Sequence, residues 1–259
     1  MKRMVYALSI FFAATLLAFT LCACAASSKK PSTSASVLGW MGHNWNLTNG
    51  GMAGVIQGKS SNIFVDANRY LHLRITKSGS TWTGSEMFTQ DNLGFGTYQW
   101  VLQGANFYNM DKPIVLGLFP YGPQAGIGVD GENEIDAEFS HWNGDFGSKP
   151  VNADFTYYPS TGNGPNASFE DDFQVNMPAP STTTVRMVWT SSTIDSYIMS
   201  GTVPVTSAPT NIIKHDTFKG STTTIPQDAV PLGVNLWSYH AEPTNSWDIV
   251  MQSFEFVHQ

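Results

Sequence analysis

From Val37 to the end of the chain, no segment long enough for a globular helix carries an apolar stripe at the 3.6-residue period between recognisable caps. Short runs rich in β-branched and aromatic residues recur instead: Ile63–Asp66, Tyr70–Thr76, Thr97–Leu102, Pro113–Phe119, Glu134–Phe139, Val151–Tyr158, Val185–Thr190, Ile194–Met199, Leu232–Trp237 and Ile249–Val257. Within Leu71-His72-Leu73-Arg74-Ile75-Thr76, apolar and polar residues alternate, as they do in a strand with one face in a core. The runs are separated by turn clusters such as Asn49-Gly50-Gly51, Ser78-Gly79-Ser80, Asn143-Gly144-Asp145 and Thr161-Gly162-Asn163-Gly164-Pro165. Many short strands with such turns predict an all-β fold of two packed antiparallel sheets. One sandwich can absorb roughly 220 residues as a single domain. A chain of 259 residues with 13% aromatics and 8 Trp can bury a large core without a disulfide or metal staple.

The first 26 residues stand outside that domain. Lys2 and Arg3 form a positive start, Val5 to Ala26 carries no charge, and polar Ser27-Ser28-Lys29-Lys30 follows, which is the pattern of a secretory signal peptide over 1–26. The same run is long enough to span a bilayer, so an uncleaved anchor stays open. Both cysteines, Cys22 and Cys24, lie in it, leaving the body without a disulfide. Ala23-Cys24-Ala25 fits a small-x-small peptidase site, while Leu21-Cys22-Ala23-Cys24 resembles a lipobox that would leave Cys24 lipidated. Residues 27–36 read as a Ser-rich tether, and 37–259 as one domain. The expected setting is therefore export, either secreted or held at the cell envelope, with membrane attachment only through the N-terminus. The chain has 13 basic and 20 acidic residues and a net charge of −7. Losing Lys2 and Arg3 with the leader makes it more acidic still, which argues against a nucleic-acid partner.

One segment carries chemistry: Glu132-Asn133-Glu134-Ile135-Asp136-Ala137-Glu138-Phe139-Ser140-His141-Trp142. Successive strand residues face opposite ways, so Glu134, Asp136 and Glu138 share one face and Ile135, Ala137 and Phe139 the other. A solvated strand face is the plain alternative. Yet like charges at alternate positions repel, and acids are poor strand formers, so the ladder costs stability. The functional reading has a geometric basis. Residues four apart on a strand are separated by ~13 Å at Cα. Two long Glu side chains leaning together can approach the ~5 Å that a retaining glycosidase requires. Crowding splits the titrations, so that one acid stays protonated while another is ionised.

Other signals fall away. Gly126-Ile127-Gly128-Val129-Asp130-Gly131 spells GxGxxG, but acids crowd it and no helix follows, so it reads as a turn. The His residues at 43, 72, 141, 215, 240 and 258 lack metal-ligand spacing, and no metal site is expected.

Glu134-Ile135-Asp136-Ala137-Glu138-Phe139 resembles the ExDxE signature of glycoside hydrolase family 16, the laminarinase, lichenase and xyloglucan-transferase group. The resemblance extends over roughly residues 60–257. It includes Thr83-Gly84-Ser85-Glu86 with Gly94-Phe95-Gly96-Thr97-Tyr98, Leu116–Pro120, Asp154–Tyr158, the Val185–Trp189 and Ile194–Gly201 hairpin, Gly233–Trp237 and Ser253–Val257. It implies a β-jelly-roll sandwich of the concanavalin or legume-lectin type, with substrate lying across a concave sheet. It also implies Glu134 as nucleophile, Glu138 as general acid/base and Asp136 as the assisting carboxylate. Glu86, Tyr158, Asn235 and Trp237 match cleft positions of the family, and Trp142 just past the ladder is a further candidate. Trp45, Trp189 and Trp247 read as core.

Four positions depart from lichenases, where Phe88 replaces an Arg, Glu132 a Trp, and Thr156 an Asn. Ser253 replaces the Asp that helps bind a structural calcium, which leaves that ion open. The chemistry itself needs no cofactor. The strand lacks the extra bulge residue of laminarinases, which leans toward β-1,3-1,4-glucan or xyloglucan over β-1,3-glucan. Few Arg and Lys argue against sulfated galactans. The expected activity is a retaining endo-β-glucanase, monomeric, acting on a neutral β-linked polysaccharide. A transglycosylase on the same trio and a non-catalytic carbohydrate-binding protein are the alternatives.

Overall fold

The computed structural model describes residues 36–104, 106–122, 131–159, 167–176 and 182–259. The segments expected to be a signal peptide and a tether up to residue 35, both cysteines, most of the GxGxxG segment and the expected Thr161–Pro165 turn lie outside the described residues. The strands in chain order are β1 (Ser36–Trp40), β2 (His43–Leu47), β3 (Gly50–Gly51), β4 (Gln57–Gly58), β5 (Ile63–Val65), β6 (Leu71–Ser78), β7 (Thr81–Leu93), β8 (Gly96–Leu102) and β9 (Ile114–Pro120). They continue as β10 (Ile135–Ser140), β11 (Ala153–Tyr157), β12 (Phe169–Phe173), β13 (Thr183–Trp189), β14 (Thr193–Ser200), β15 (Ile212–Lys219), β16 (Val230–Ser238) and β17 (Trp247–His258). Among the described residues the only helical pieces are three short 3-10 turns.

Pairing organises these strands into two layers. The front sheet runs β1–β2–β7–β16–β9–β10–β11–β12. The back sheet runs β5–β6–β17–β8–β13–β14–β15. Within both, every pair is antiparallel. The long strand β7 begins as a hairpin with β6 and ends in the front sheet between β2 and β16, so it stitches the layers together. Gly79 in the connecting turn has φ 61°, which a glycine adopts without penalty. This is the sandwich of two antiparallel sheets that the strand pattern predicts and the β-jelly roll that the resemblance implies.

Every expected run is a strand, with ends shifted by a residue or two. The expectation fails in other places. β1, β2, β4, β7, β12 and β15 do not follow from their residues alone, and Gly50-Gly51, read as a turn, forms the short strand β3. β1 opens at Ser36, the last residue assigned to the tether.

The core fills the space between the layers. Ile135, Ala137 and Phe139 of β10 are fully buried there, with Leu116 and Leu118 of β9, Val234 and Leu236 of β16, and Trp100, Tyr98, Trp189 and Phe254 from the back sheet. Each large side chain contributes about 1.5–3 kcal/mol on burial. Several polar tips in the core are satisfied, while the buried Trp100 Nε1 has no hydrogen-bond partner among the described residues. Trp45 Nε1 donates to the Trp40 carbonyl, Trp189 Nε1 to that of Pro226, and the Tyr157 hydroxyl to Ser196 Oγ. Trp45 and Trp189 are core as expected, while Trp247 packs against the core only partly buried. The inward half of β10 thus anchors the strand whose outward half carries the acids. Phe139→Ala is expected to cost about 3–5 kcal/mol, read as a lowered urea midpoint at unchanged m-value.

Candidate active site

The antiparallel register lines up side chains on the outward face of the front sheet. One row runs Glu86 (β7), Asn235 (β16), Gly117 (β9), Glu138 (β10), Asp154 (β11) and Asp172 (β12). The next row holds Phe88, Gly233 and Phe119, then Asp136 by extension of the β9–β10 register, then Thr156. Glu134 precedes β10 but stays in line with it, because its carbonyl accepts the Tyr158 N–H at 2.9 Å. The structure therefore places Glu134, Asp136 and Glu138 together on the face opposite the core, with Glu86, Tyr158 and Asn235 on the strands around them. Glu134 and Asp136 are buried and Glu138 is half-buried.

Gly117 makes room for the middle of the row. A Cβ there would stand 2.5 Å from Asn235 Oδ1 and 3.3 Å from Glu138 Oε1. In its absence the Gly117 N–H donates to Asn235 Oδ1 at 3.1 Å, and the Glu138 carboxyl settles over the bare backbone. Removal from water, then the charge of Glu134, raises Glu138 from 4.5 to about 8. Asp154 also sits well above the usual carboxylate range, through burial, then Glu138, then Asp172. Trp142 Nε1 donates to Asp154 Oδ1 and Thr156 Oγ1 to Oδ2, each at 3.1 Å, and these bonds oppose the rise. Burial lifts Glu86 to about 7 against a 2.8 Å hydrogen bond from the Thr48 hydroxyl.

The two candidate tryptophans lie at the Glu138 end of the ladder. Trp142, Trp237 and Tyr239 pack edge to face, with centroids 5.2–6.3 Å apart. Met52, Ala53, Val115 and Val151 complete the cluster. Gly54 presses on the Trp237 ring, where a Cβ would stand 2.5 Å from Cε3. Trp237 is 5% exposed and Trp142 7%, so both rings are packed rather than presented. Sequence reasoning missed Asp154 and Thr48 as members of the site. The alternation in Asp154-Phe155-Thr156-Tyr157-Tyr158 places Asp154, Thr156 and Tyr158 on one face and could have flagged the first.

No group of three or more His, Cys, Asp or Glu among the described residues is arranged to hold a metal. Ser253, where the resemblance would supply a calcium carboxylate, brings a hydroxyl on the back sheet. The carboxylate that the resemblance would supply is absent at this position, and no step is routed through that ion.

No family model and no curated protein matches the sequence. Solved structures do. The chain is similar to a Bacillus licheniformis β-glucanase, with TM-score 0.61 at 19% identity over 83% of this chain and 92% of that one. A laminarinase from Flavobacterium sp. UMI-01 aligns with TM-score 0.62 at 16% identity over 83% and 93% of the two chains. A β-1,3-1,4-glucanase (lichenase) derived from a mouse hindgut metagenome aligns with TM-score 0.57 at 19% identity over 82% and 92%. At these identities the likeness establishes the shared fold.

Two outcomes follow from the electrostatics. In Glu134→Gln the repulsion disappears while burial remains, so Glu138 titrates below about 8 but above 4.5, read by carbon NMR of the carboxyl. Glu138 and Glu86 also hold protons in the folded chain that the unfolded chain releases from about pH 4.5 upward. Their contribution to stability is complete below that pH and is lost as pH rises toward 8. Urea midpoints should decline across this window, and the decline should flatten in Glu138→Gln.

Proposed function

We propose that the chain is a retaining, endo-acting glycoside hydrolase that cleaves a neutral β-glucan by double displacement. The observation that carries this reading is the placement of Glu134, Asp136 and Glu138 on one strand face, with Glu138 set over bare Gly117, where burial and then the charge of Glu134 raise its proton affinity. A protonated carboxyl beside an ionisable one is the division of labour that acid-assisted displacement needs.

Glu138 donates its proton to the glycosidic oxygen as that bond breaks, and the Glu134 carboxylate attacks the anomeric carbon to form a glycosyl ester. Esterification removes the charge on Glu134. The part of the rise in Glu138 that came from Glu134 goes with it, so the carboxylate left behind is less disfavoured while it takes a proton from water. That water displaces Glu134 from the anomeric carbon, and the proton it gives up restores Glu138. Asp136, between them on the same face, assists by hydrogen bonding and charge.

The substrate class draws on the charges around the site. Of the arginines beyond the leader, Arg74 pairs with Asp248 on the back sheet. Arg186 is buried against Gln99, Pro204 and Ser207, and Arg69 lies in the turn between β5 and β6. None joins the front-face rows, so sulfated or uronic glycans find no guanidinium partner there. The similar folds of a β-glucanase, a lichenase and a laminarinase favour a β-1,3-1,4- or β-1,3-glucan. In the same reading the leader delivers the enzyme outside the cell, where such polymers are met.

The test is release of reducing ends from barley glucan, lichenan, laminarin and xyloglucan. Glu134→Gln and Glu138→Gln should each lower kcat by about 10²–10⁴ on the substrate that the wild type prefers. Wild-type activity should fall as pH rises through about 8, where Glu138 loses the proton it must donate. Full activity in Glu134→Gln would remove it as the nucleophile.

A further inference from the structure

The row beside the catalytic acids holds an arrangement that the chemistry above does not use. Phe88 and Phe119 flank Gly233 in register, on β7 and β9 to either side of β16. A Cβ on Gly233 would stand 2.6 and 2.7 Å from two atoms of the Phe119 ring and 2.7 Å from Phe88 Cε1. The two rings therefore converge over a bare Cα, with centroids 5.8 Å apart and planes at 86°. This edge-to-face contact is favourable in itself. Phe119 is buried and Phe88 only half-buried, so Phe119 is the buttress and Phe88 the ring on offer.

The strand breaks its regular pairing at the same place. Gly233 opposes Phe88, but Pro231 opposes Asn92, so β7 carries extra residues against β16. Buried Thr89 closes this bulge, its Oγ1 accepting the Leu232 N–H at 2.8 Å and donating to the Asp91 carbonyl at 2.7 Å. A bulge re-aims the side chain beside it, and here that side chain is Phe88.

We propose that Phe88 is a specificity-determining contact of the glycan site, set by Phe119, Gly233 and the Thr89 bulge to stack against an uncharged hexopyranose ring of the bound chain, three strands along the row from Asp136. This rests on the glycoside hydrolase reading and deepens it. An aromatic face is electron-rich and takes the C–H face of a sugar. An anionic substituent on that ring would meet the same electron-rich face, with no arginine in the rows to offset it. Phe88 contacts substrate, whereas Phe119 and Gly233 are positioning residues that act through it.

The experiment uses the full chain and a mixed-linkage β-glucan oligosaccharide. Hydrolysis gives kcat and KM, and titration calorimetry on the Glu138→Gln background gives affinity. Phe88→Ala and Phe88→Leu should each raise KM and Kd about tenfold at nearly constant kcat, and Phe88→Tyr should restore both to within about twofold. Gly233→Ala should weaken binding in the parent but add little in Phe88→Ala, because both act through one ring. Oxidising the sugar C6 groups to carboxylates should weaken binding to the parent at least about tenfold. Unchanged KM and Kd in Phe88→Leu, fully additive losses with Gly233→Ala, or equal affinity for the oxidised oligosaccharide would each overturn the proposal. Binding that depends on Phe88 without hydrolysis would sink the catalytic reading and leave this contact standing. Neither binding nor hydrolysis would sink both.

Discussion

A carboxyl group pressed against sheet backbone, with other carboxyls beside and across from it, cannot ionise as it would in water. That constraint governs the front face of this protein. Glu138 lies over Gly117 with Glu134 along its own strand and Asp154 directly across. Like charges opposite one another destabilise a sheet, and desolvation adds to the cost. The strand tolerates it because its other face is fully buried: Ile135, Ala137 and Phe139 sit in the core against residues from both layers. The apolar half of β10 holds the acids where repulsion alone would drive them apart.

How much of this was legible in the sequence depends on how local each feature is. Alternation is local, so the ladder could be read directly, and the ten apolar runs all became strands. Strands whose stabilisation comes from their neighbours could not be read in that way. β7 spans Thr81–Leu93 through Gly84, Ser85, Gln90, Asp91 and Asn92, a composition that signals a loop when taken alone. β12 carries Glu170, Asp171 and Asp172 in a row, and is kept by Phe169 and Phe173 packing on Tyr157 and Phe155. Asp154 is the same problem within the site. Its importance comes from standing opposite Glu138, and register between β10 and β11 is a property of the pair of strands.

Glycines show the same limit from the other side. A missing side chain is silent in a sequence, yet two of them shape this face. Gly117 admits the Asn235 amide and the Glu138 carboxyl, and Gly233 admits two phenyl rings. Both sit in strands, where glycine is otherwise a weak choice, and in both the close approach of a neighbour explains it. The two positions lie in adjacent rows of the same sheet face, one beneath the acids and one beneath the aromatic pair.

Trp142 ties the electrostatics to the packing. As a tryptophan just past the ladder it invites a role in stacking on sugar, but its ring is enclosed by Trp237, Tyr239 and Val151. What it offers the site is its indole N–H, directed at Asp154 Oδ1. To reach that position its backbone takes φ 45°, unusual for so bulky a residue, and its own N–H is held by Ser140 Oγ at 2.8 Å. A residue held in an unfavourable backbone geometry by a hydrogen bond at each end is one that the surrounding structure over-determines. The aromatic cluster therefore fixes a donor on Asp154, and that bond opposes the rise that burial, Glu138 and Asp172 impose on this carboxyl. Packing of the aromatic cluster and the proton affinity of Asp154 are in this way one arrangement.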